Sequence, residues 1–313
     1  MEFFKTPNVN FMKYRFVALA LTGAVILAGA LNISFGKGLK LGVDFGGGTL
    51  VRIVFNDPIT ISDIRSELGQ AGLGESVIQA SGSSGREFMI RTLQVISAKD
   101  ALQELEAHEK LGDRVIEALR GKDGQRKFVV ASKETVGPQA GADLRKKATL
   151  AVIFSLIGML VYIGFRFKLE YGVSAIVTLT QDVLMALSVY SFTNREINLP
   201  IIAALLTIVG YSINDTVVVF DRVRENLKAM RKEPFETILN RSINQSLGRT
   251  IITTGTVFLA VLSLFLFGGK SINDFAFIML FGSIEGVYST IYLSCPVVLF
   301  WRQLFKPKNA GRR

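Results

Sequence analysis

The chain has 313 residues, 49% of them apolar, with a mean hydropathy of +0.38 and a net charge of +10. Its single cysteine, Cys295, excludes an intrachain disulfide and a cysteine-cluster metal site, and its single histidine, His108, excludes a histidine relay between membrane helices. The positive charge gathers between and beyond the apolar runs, which makes it a topology signal and not a nucleic-acid footprint.

Six apolar stretches have spanning length: Phe16–Ile33, Thr149–Phe165, Tyr171–Phe192, Leu199–Phe220, Thr250–Phe267 and Phe275–Phe300. A bilayer core about 30 Å thick asks for about 20 helical residues. The runs are continuous, without the alternation of barrel strands, so helices are expected. Lys13 and Arg15 before the first run suit a signal peptide, but the run is longer than a typical h-region and no A-x-A-like site precedes a polar stretch, so a retained anchor is expected.

Residues 34–147, of ordinary soluble composition, lie between the first two spans. They open with LGVDFGGGTL, Leu41 to Leu50. The glycines Gly46, Gly47 and Gly48 after Asp44 are not followed by Gly-Lys-Ser/Thr or by a helix, so a tight structural turn is expected, not a phosphate loop. Thr49–Phe55 reads as a strand, and Ile59–Ala71 as a helix with Thr60 or Ser62 as cap and Gly72 as stop. Ser76–Ala80 and Glu87–Thr92 read as strands flanking the turn cluster Ser81–Gly85. A second helix starts near Ser97 and breaks or kinks at Gly112, and Arg126–Lys133 closes the unit as a strand. The order βαββαβ is that of a ferredoxin-like split unit.

Beyond the second span, only Arg166–Glu170 separate it from the third, so the two form an antiparallel pair. Residues 221–249 form the largest inner loop, in which Pro234 opens a short amphipathic helix with Phe235, Ile238, Leu239, Ile243 and Leu247 on one face. That helix suits either the interface plane or the underside of the bundle. Residues 301–313 are a basic tail. Lys5, Lys13, Arg15, Arg166, Lys168, the seven basic residues between Asp221 and Arg249 and the five of the tail fall on one side. Only Arg195 and Lys270 occupy the short loops opposite, which places both termini inside.

Several polar residues interrupt the apolar runs. Gln181 and Asp182 lie in the third span, Asn214 and Asp215 in the fourth, and Glu285 in the last, while Arg249 heads the fifth. A carboxylate at membrane depth costs roughly 2.5–3.5 kcal/mol on insertion scales and is a functional hypothesis by default. On the fourth helix Asp215 shares a face with Thr207, Ile208, Tyr211 and Ser212 by helical spacing. Burial favours the neutral acid, whereas an arginine about 4 Å away favours the charged one by roughly 4 kcal/mol at an effective dielectric near 20. The effects are comparable, so movement of Arg249 relative to Asp215 loads or releases a proton. The bland alternative is a permanent Asp215–Arg249 pair that only fixes packing.

Three segments together carry a family resemblance: GYSINDTVVVFDRVREN (Gly210 to Asn226), NRSINQSLGRTIITT (Asn240 to Thr254) and LGVDFGGGTLV (Leu41 to Val51). The chain resembles the SecD/SecF family of bacterial protein export over essentially its whole length. The resemblance implies a polytopic α-helical fold of six transmembrane helices plus one small periplasmic α+β domain, in the inner membrane. It also implies a non-enzymatic, RND-like subunit that pairs with SecD and helps the SecYEG channel and SecA export preproteins, with YajC and YidC as further partners. The proton is then the coupling ion, with no other cofactor and no nucleic acid. The family's proton path maps onto Asp215 and Arg249, with Asp182, Asn214 and Glu285 as secondary candidates. Relatives often carry His-Asp where this chain has Gln181-Asp182, which weakens a histidine-assisted relay here. The alternatives are an RND-type exporter of small molecules or lipids, disfavoured by a single exported domain, and an uncoupled structural subunit.

Overall fold

Apolar runs too long for strands and too continuous for loops form the six longest helical segments of the chain. The computed structural model describes residues 7–36, 38–81, 85–92, 101–120, 127–193 and 195–305, apart from the side chains of 101–108 and 269–271. The expected cap at Ser97, the side chain of His108 and most of the basic tail lie outside these residues. In chain order the elements are α1 (Arg15–Phe35), β1 (Lys40–Leu41), α2 (Val43–Gly46), β2 (Gly48–Phe55), α3 (Ile61–Gln70), β3 (Val77–Ser81), β4 (Glu87–Thr92), α4 (Ala101–Arg120) and β5 (Phe128–Val136). Then follow α5 (Pro138–Arg166), α6 (Leu169–Phe192), β6 (Glu196–Ile197), α7 (Leu199–Ala229), α8 (Phe235–Phe267), α9 (Gly269–Ser289) and α10 (Cys295–Phe305). Six helical segments are long and apolar enough to cross a membrane, and the chain is a polytopic helical membrane protein.

The helical unit comprises residues 1–40, 150–195 and 200–313. Its spans divide by burial: those built on α6, α7 and α9–α10 are half or more buried, while α1, α5 and α8 expose most of their apolar windows. Close approach is made by small residues. A Cβ on Gly29 of α1 would lie 2.2 Å from the Ser188 Cβ of α6, and one on Gly282 of α9 would lie 2.3 Å from the Ile208 Cδ1 of α7. Asn32 of α1 donates to the Ser191 carbonyl of α6 at 3.0 Å.

Helices run well past their apolar runs. α7 has 31 residues and α8 has 33, about 46 and 50 Å at 1.5 Å per residue. The stretch from Phe235 to Leu247 is therefore not a separate amphipathic helix, as expected from Pro234 and the charge pattern, but the start of the fifth span. No proline lies between Phe235 and Thr250, the helix passes through Gly248, and Glu236 in the first turn complements its dipole. Of the apolar face predicted for it, Ile238, Leu239 and Ile243 are buried in the helical unit, and Phe235 and Leu247 are half-buried against the same core.

The last span is interrupted by a π-helical turn at Thr290–Ser294. Pro296 follows, and without an N–H it cannot reach the carbonyl four residues back. Ser174 of α6 uses the widened turn, its hydroxyl donating to the Ser294 carbonyl at 2.6 Å.

The second unit comprises residues 41–149 and 196–199. Its four-stranded antiparallel sheet has the order β3-β4-β2-β5, which is the split βαββαβ arrangement. Val51, Ile53 and Phe55 of β2 alternate inward and pack with Ile64 and Leu68 of α3 and Leu111, Val115 and Leu119 of α4. Thr60 caps α3 in a reciprocal box with Asp63, and Gly72 ends that region at φ +75°. α4 runs unbroken through Gly112, where a break or kink was expected. The glycine serves close packing instead: a Cβ there would lie 2.5 Å from Lys133 Cε and 3.0 Å from Thr49 Cγ2.

The Asp44–Gly48 motif is a structural corner. Gly47 has φ +71° and Gly48 φ +112°, and a Cβ on Gly47 would lie 2.9 Å from the Pro138 Cα. Asp44 Oδ2 accepts the Leu199 N–H at 2.8 Å, and the Gly42 N–H donates to the Ile197 carbonyl at 2.8 Å. Each bond occupies a backbone group of residues 196–199. The carboxylate acts as a cap here.

Candidate functional site

At 100° per residue, α7 presents its polar residues in three adjacent stripes. Ser212 and Thr216 face α6 and the last span, Tyr211 and Asp215 face α8, and Thr207, Gly210 and Asn214 are exposed on the outer face of the helical unit.

The first stripe closes a buried cluster. Asp182 is fully buried, and its Oδ2 accepts from the Ser212 hydroxyl at 2.5 Å. Next to it, Gln181 Nε2 donates to Glu285 Oε1 at 2.6 Å, and both residues are buried. Thr216 and Thr290 share a hydrogen bond at 2.9 Å, which places the π turn beside the cluster. Gly286 of α9 faces Ser212 here, and a Cβ on it would make only ordinary contact, 3.4 Å from Ser212 Cβ. Asp182 Oδ1 and Gln181 Oε1 are buried with no hydrogen-bond partner among the described residues. Orphaned oxygens of this kind cost about 1–3 kcal/mol each and mark functional positions or bound water.

The second stripe forms a separate hydroxyl chain. Tyr211 OH donates to Thr254 Oγ1 at 2.9 Å, and Thr254 Oγ1 donates to Asp215 Oδ2 at 3.4 Å. Asp215 is 3% exposed. Arg249, five residues before Thr254 on α8, is exposed and acts on Asp215 electrostatically, yet the two form no ion pair in this structure. The acid is therefore not locked to the guanidinium in this structure.

Of the residues singled out in the sequence, Asp182, Glu285 and Gln181 come together, Asp215 stands on the adjacent stripe of α7 toward α8, the helix that carries Arg249, and Asn214 joins neither cluster. Thr207 also faces out, so it does not share the buried face of Asp215, because a step of eight residues turns the helix by about 80°. Thr254, Thr290 and Ser174 are participants that the sequence did not single out. Hydroxyls are common in spans and often bond their own helix, as Thr253 does to the Arg249 carbonyl, so they carry little signal. Among the described residues no group of three or more His, Cys, Asp or Glu is placed to hold a metal ion.

The protein-family profile described as "Protein export membrane protein SecD/SecF, C-terminal" matches residues 115–304. The chain is 41% identical to the protein translocase subunit SecF of Desulfurispirillum indicum, over 94% of this chain and 92% of the relative. It is 39% identical to SecF of Vibrio alginolyticus, over 93% and 89%. Among solved structures it is similar to the crystal structure of SecDF, a translocon-associated membrane protein from Thermus thermophilus, with a TM-score of 0.80 at 36% identity. That match covers 95% of this chain and 39% of that one. Against SecDF in its super-membrane-facing form the TM-score is 0.66 at 37% identity.

Proposed function

The chain belongs to the SecF family of protein translocase subunits, and from that premise we propose that it is a proton-driven subunit that completes preprotein export across the inner membrane. In this reading both termini are cytoplasmic, as the basic residues demand, and the four-stranded unit is a ferredoxin-like periplasmic domain. The coupling ion is the proton. Asp215 is the principal proton-binding group and Arg249 the mobile charge opposing it. Asp182, hydrogen-bonded to Ser212, and Glu285, hydrogen-bonded to Gln181, form a second acidic station on the other flank of α7.

One observation carries the reading: Asp215 is buried, its hydrogen-bond partner is the neutral hydroxyl of Thr254, and it makes no ion pair with Arg249 of the same facing helix. If the pair closed to about 4 Å, the charged acid would gain roughly 4 kcal/mol at an effective dielectric near 20. One proton falling through 100 mV supplies about 2.3 kcal/mol, so the gradient and the pair act on the same scale. A permanent scaffold would need that pair already made.

The partner proposed first is SecD. Asn214, Gly210 and Thr207 are exposed where the helix should lie at membrane depth, and a polar side chain there suits a protein neighbour better than acyl chains. SecYEG, SecA, YajC and YidC follow as proposals from the family. The test is Asp215→Asn, which keeps shape and removes titration. Gradient-dependent export in membrane vesicles should be lost while ATP-driven insertion persists, and unchanged gradient dependence would refute the role of Asp215.

A further inference from the structure

The helical turns of α8 that precede Arg249 are bound by a segment far away in sequence. Glu236, Asn240 and Asn244 recur at every fourth residue and share one face of α8. All three are spent on residues 9–15. The Val9 N–H donates to Asn244 Oδ1 at 2.9 Å, and the Val9 carbonyl accepts from Asn244 Nδ2 at 2.8 Å and Asn240 Nδ2 at 3.0 Å. Asn240 Oδ1 accepts the Phe11 N–H at 2.8 Å, and Arg15 Nη1 donates to Glu236 Oε1 at 2.7 Å. Phe11 and Met12 then enter the main core cluster of the helical unit, alongside Leu239 and Ile243 of α8. Asn244 itself is 5% exposed.

Two features separate this from ordinary packing. The asparagines bind main-chain groups of the segment, and Val9, whose N–H and carbonyl they hold, is itself 42% exposed. And residues 7–10 have no regular secondary structure, so the bonds that a helix or sheet would give the Val9 N–H and carbonyl are supplied by the two amides.

We propose that Asn240 and Asn244 form a docking site for the chain's own N-terminal segment, residues 8–12, and that this strap fixes the first half of α8 and so sets where Arg249 stands. Asn240 and Asn244 are thus positioning residues, and their link to Arg249 rests on the function proposed above. Arg249 lies five residues beyond Asn244 on the same unbroken helix. The charge it positions is felt by Asp215, which faces Thr254 and Arg249 from α8 and Tyr211 on its own helix, with Asp182 of α6 and Glu285 of the last span across α7.

The experiment uses the full chain co-expressed with a SecD-type subunit in lipid nanodiscs and membrane vesicles. Hydrogen exchange at the Phe11 amide should be slow, and it should accelerate roughly tenfold in Asn240→Ala, which removes its acceptor, and likewise in Asn244→Ala and Val9→Pro, which release the neighbouring Val9. Val9→Ala, which keeps every main-chain bond, should change nothing. In vesicles, Asn244→Ala and Val9→Pro should displace the pH midpoint of gradient-driven export, whereas a merely structural lesion would lower the amount of folded complex and leave the midpoint alone. Fast exchange at Phe11 in the unmodified chain, or an unmoved midpoint in both variants, overturns the strap. The two readings fail separately. If Asp215→Asn leaves gradient-driven export intact, the proton assignment falls while exchange still decides the docking. If it abolishes export and the strap variants keep the midpoint, the strap falls.

Discussion

The packing of α9 against α7 makes a sharp prediction through Gly282. A Cβ there would lie 2.3 Å from Ile208 Cδ1, 2.4 Å from Cγ1 and 3.1 Å from Cγ2. The terminal methyl alone has some freedom to move, but β-branched side chains in helices hold essentially one χ1 rotamer, so Gly282→Ala must displace the helix or force a poor rotamer. Overpacking of this kind costs about 1–3 kcal/mol. Ile208, 1% exposed, costs about 2–5 kcal/mol when cut to alanine. The double variant should be more stable than the two single effects predict, by about 1–2 kcal/mol, because the new methyl occupies space the isoleucine vacates. Gly29→Ala is the contrast: its Cβ would meet the Ser188 Cα at 2.6 Å as well as the Cβ, so no side-chain change at 188 relieves it. Reversible unfolding in mixed micelles measures all four proteins. Additive effects at 282 and 208, or a neutral Gly282→Ala, would refute the packing argument.

Three further outcomes are expected. Glu170, 4% exposed, is held by both Arg302 Nε (3.1 Å) and Nη2 (2.6 Å); Arg302→Ala should therefore destabilise by about 3–5 kcal/mol, whereas a paired apolar replacement of both should be close to neutral in the same unfolding assay. Gly47→Ala should lower the thermal midpoint, because φ is +71° and the new methyl would meet the Pro138 backbone, while Gly69→Ala, with open space around it, should not. Asn214→Leu should leave stability of the isolated chain within about 0.5 kcal/mol yet reduce co-purification of the SecD-type subunit.

The membrane spans are legible because lipid demands long apolar runs, and Asp182, Asp215 and Glu285 stand out against them. Helix ends are less so: charged residues such as Arg222 and Glu225, which pair at 2.6 Å on the helix, continue α7 as readily as they would a loop. Adjacency in sequence misleads on a helix. Asn214 and Asp215 look like a pair, but about 100° separates their side chains, so one faces out and the other in. Gly112 shows the same ambiguity, since a glycine that admits a neighbour reads like one that breaks a helix. The N-terminal strap leaves little pattern: Phe11 and Met12 are buried in the core, but asparagines that bind main chain place no demand on the identity of Val9. Which flank of α7 each acid occupies depends on distant partners, Thr254 for Asp215 and Ser212 for Asp182, and no local spacing encodes it.

The central claim is that Asp215 changes charge during the working cycle under the influence of Arg249. Infrared difference spectroscopy of the complete complex in lipid, between acid and alkaline pH, observes it directly through the carboxyl C=O stretch. The account predicts a protonated-carboxyl band that disappears in Asp215→Asn and titrates at a different pH in Arg249→Ala. A band pattern unaltered by either substitution would contradict it.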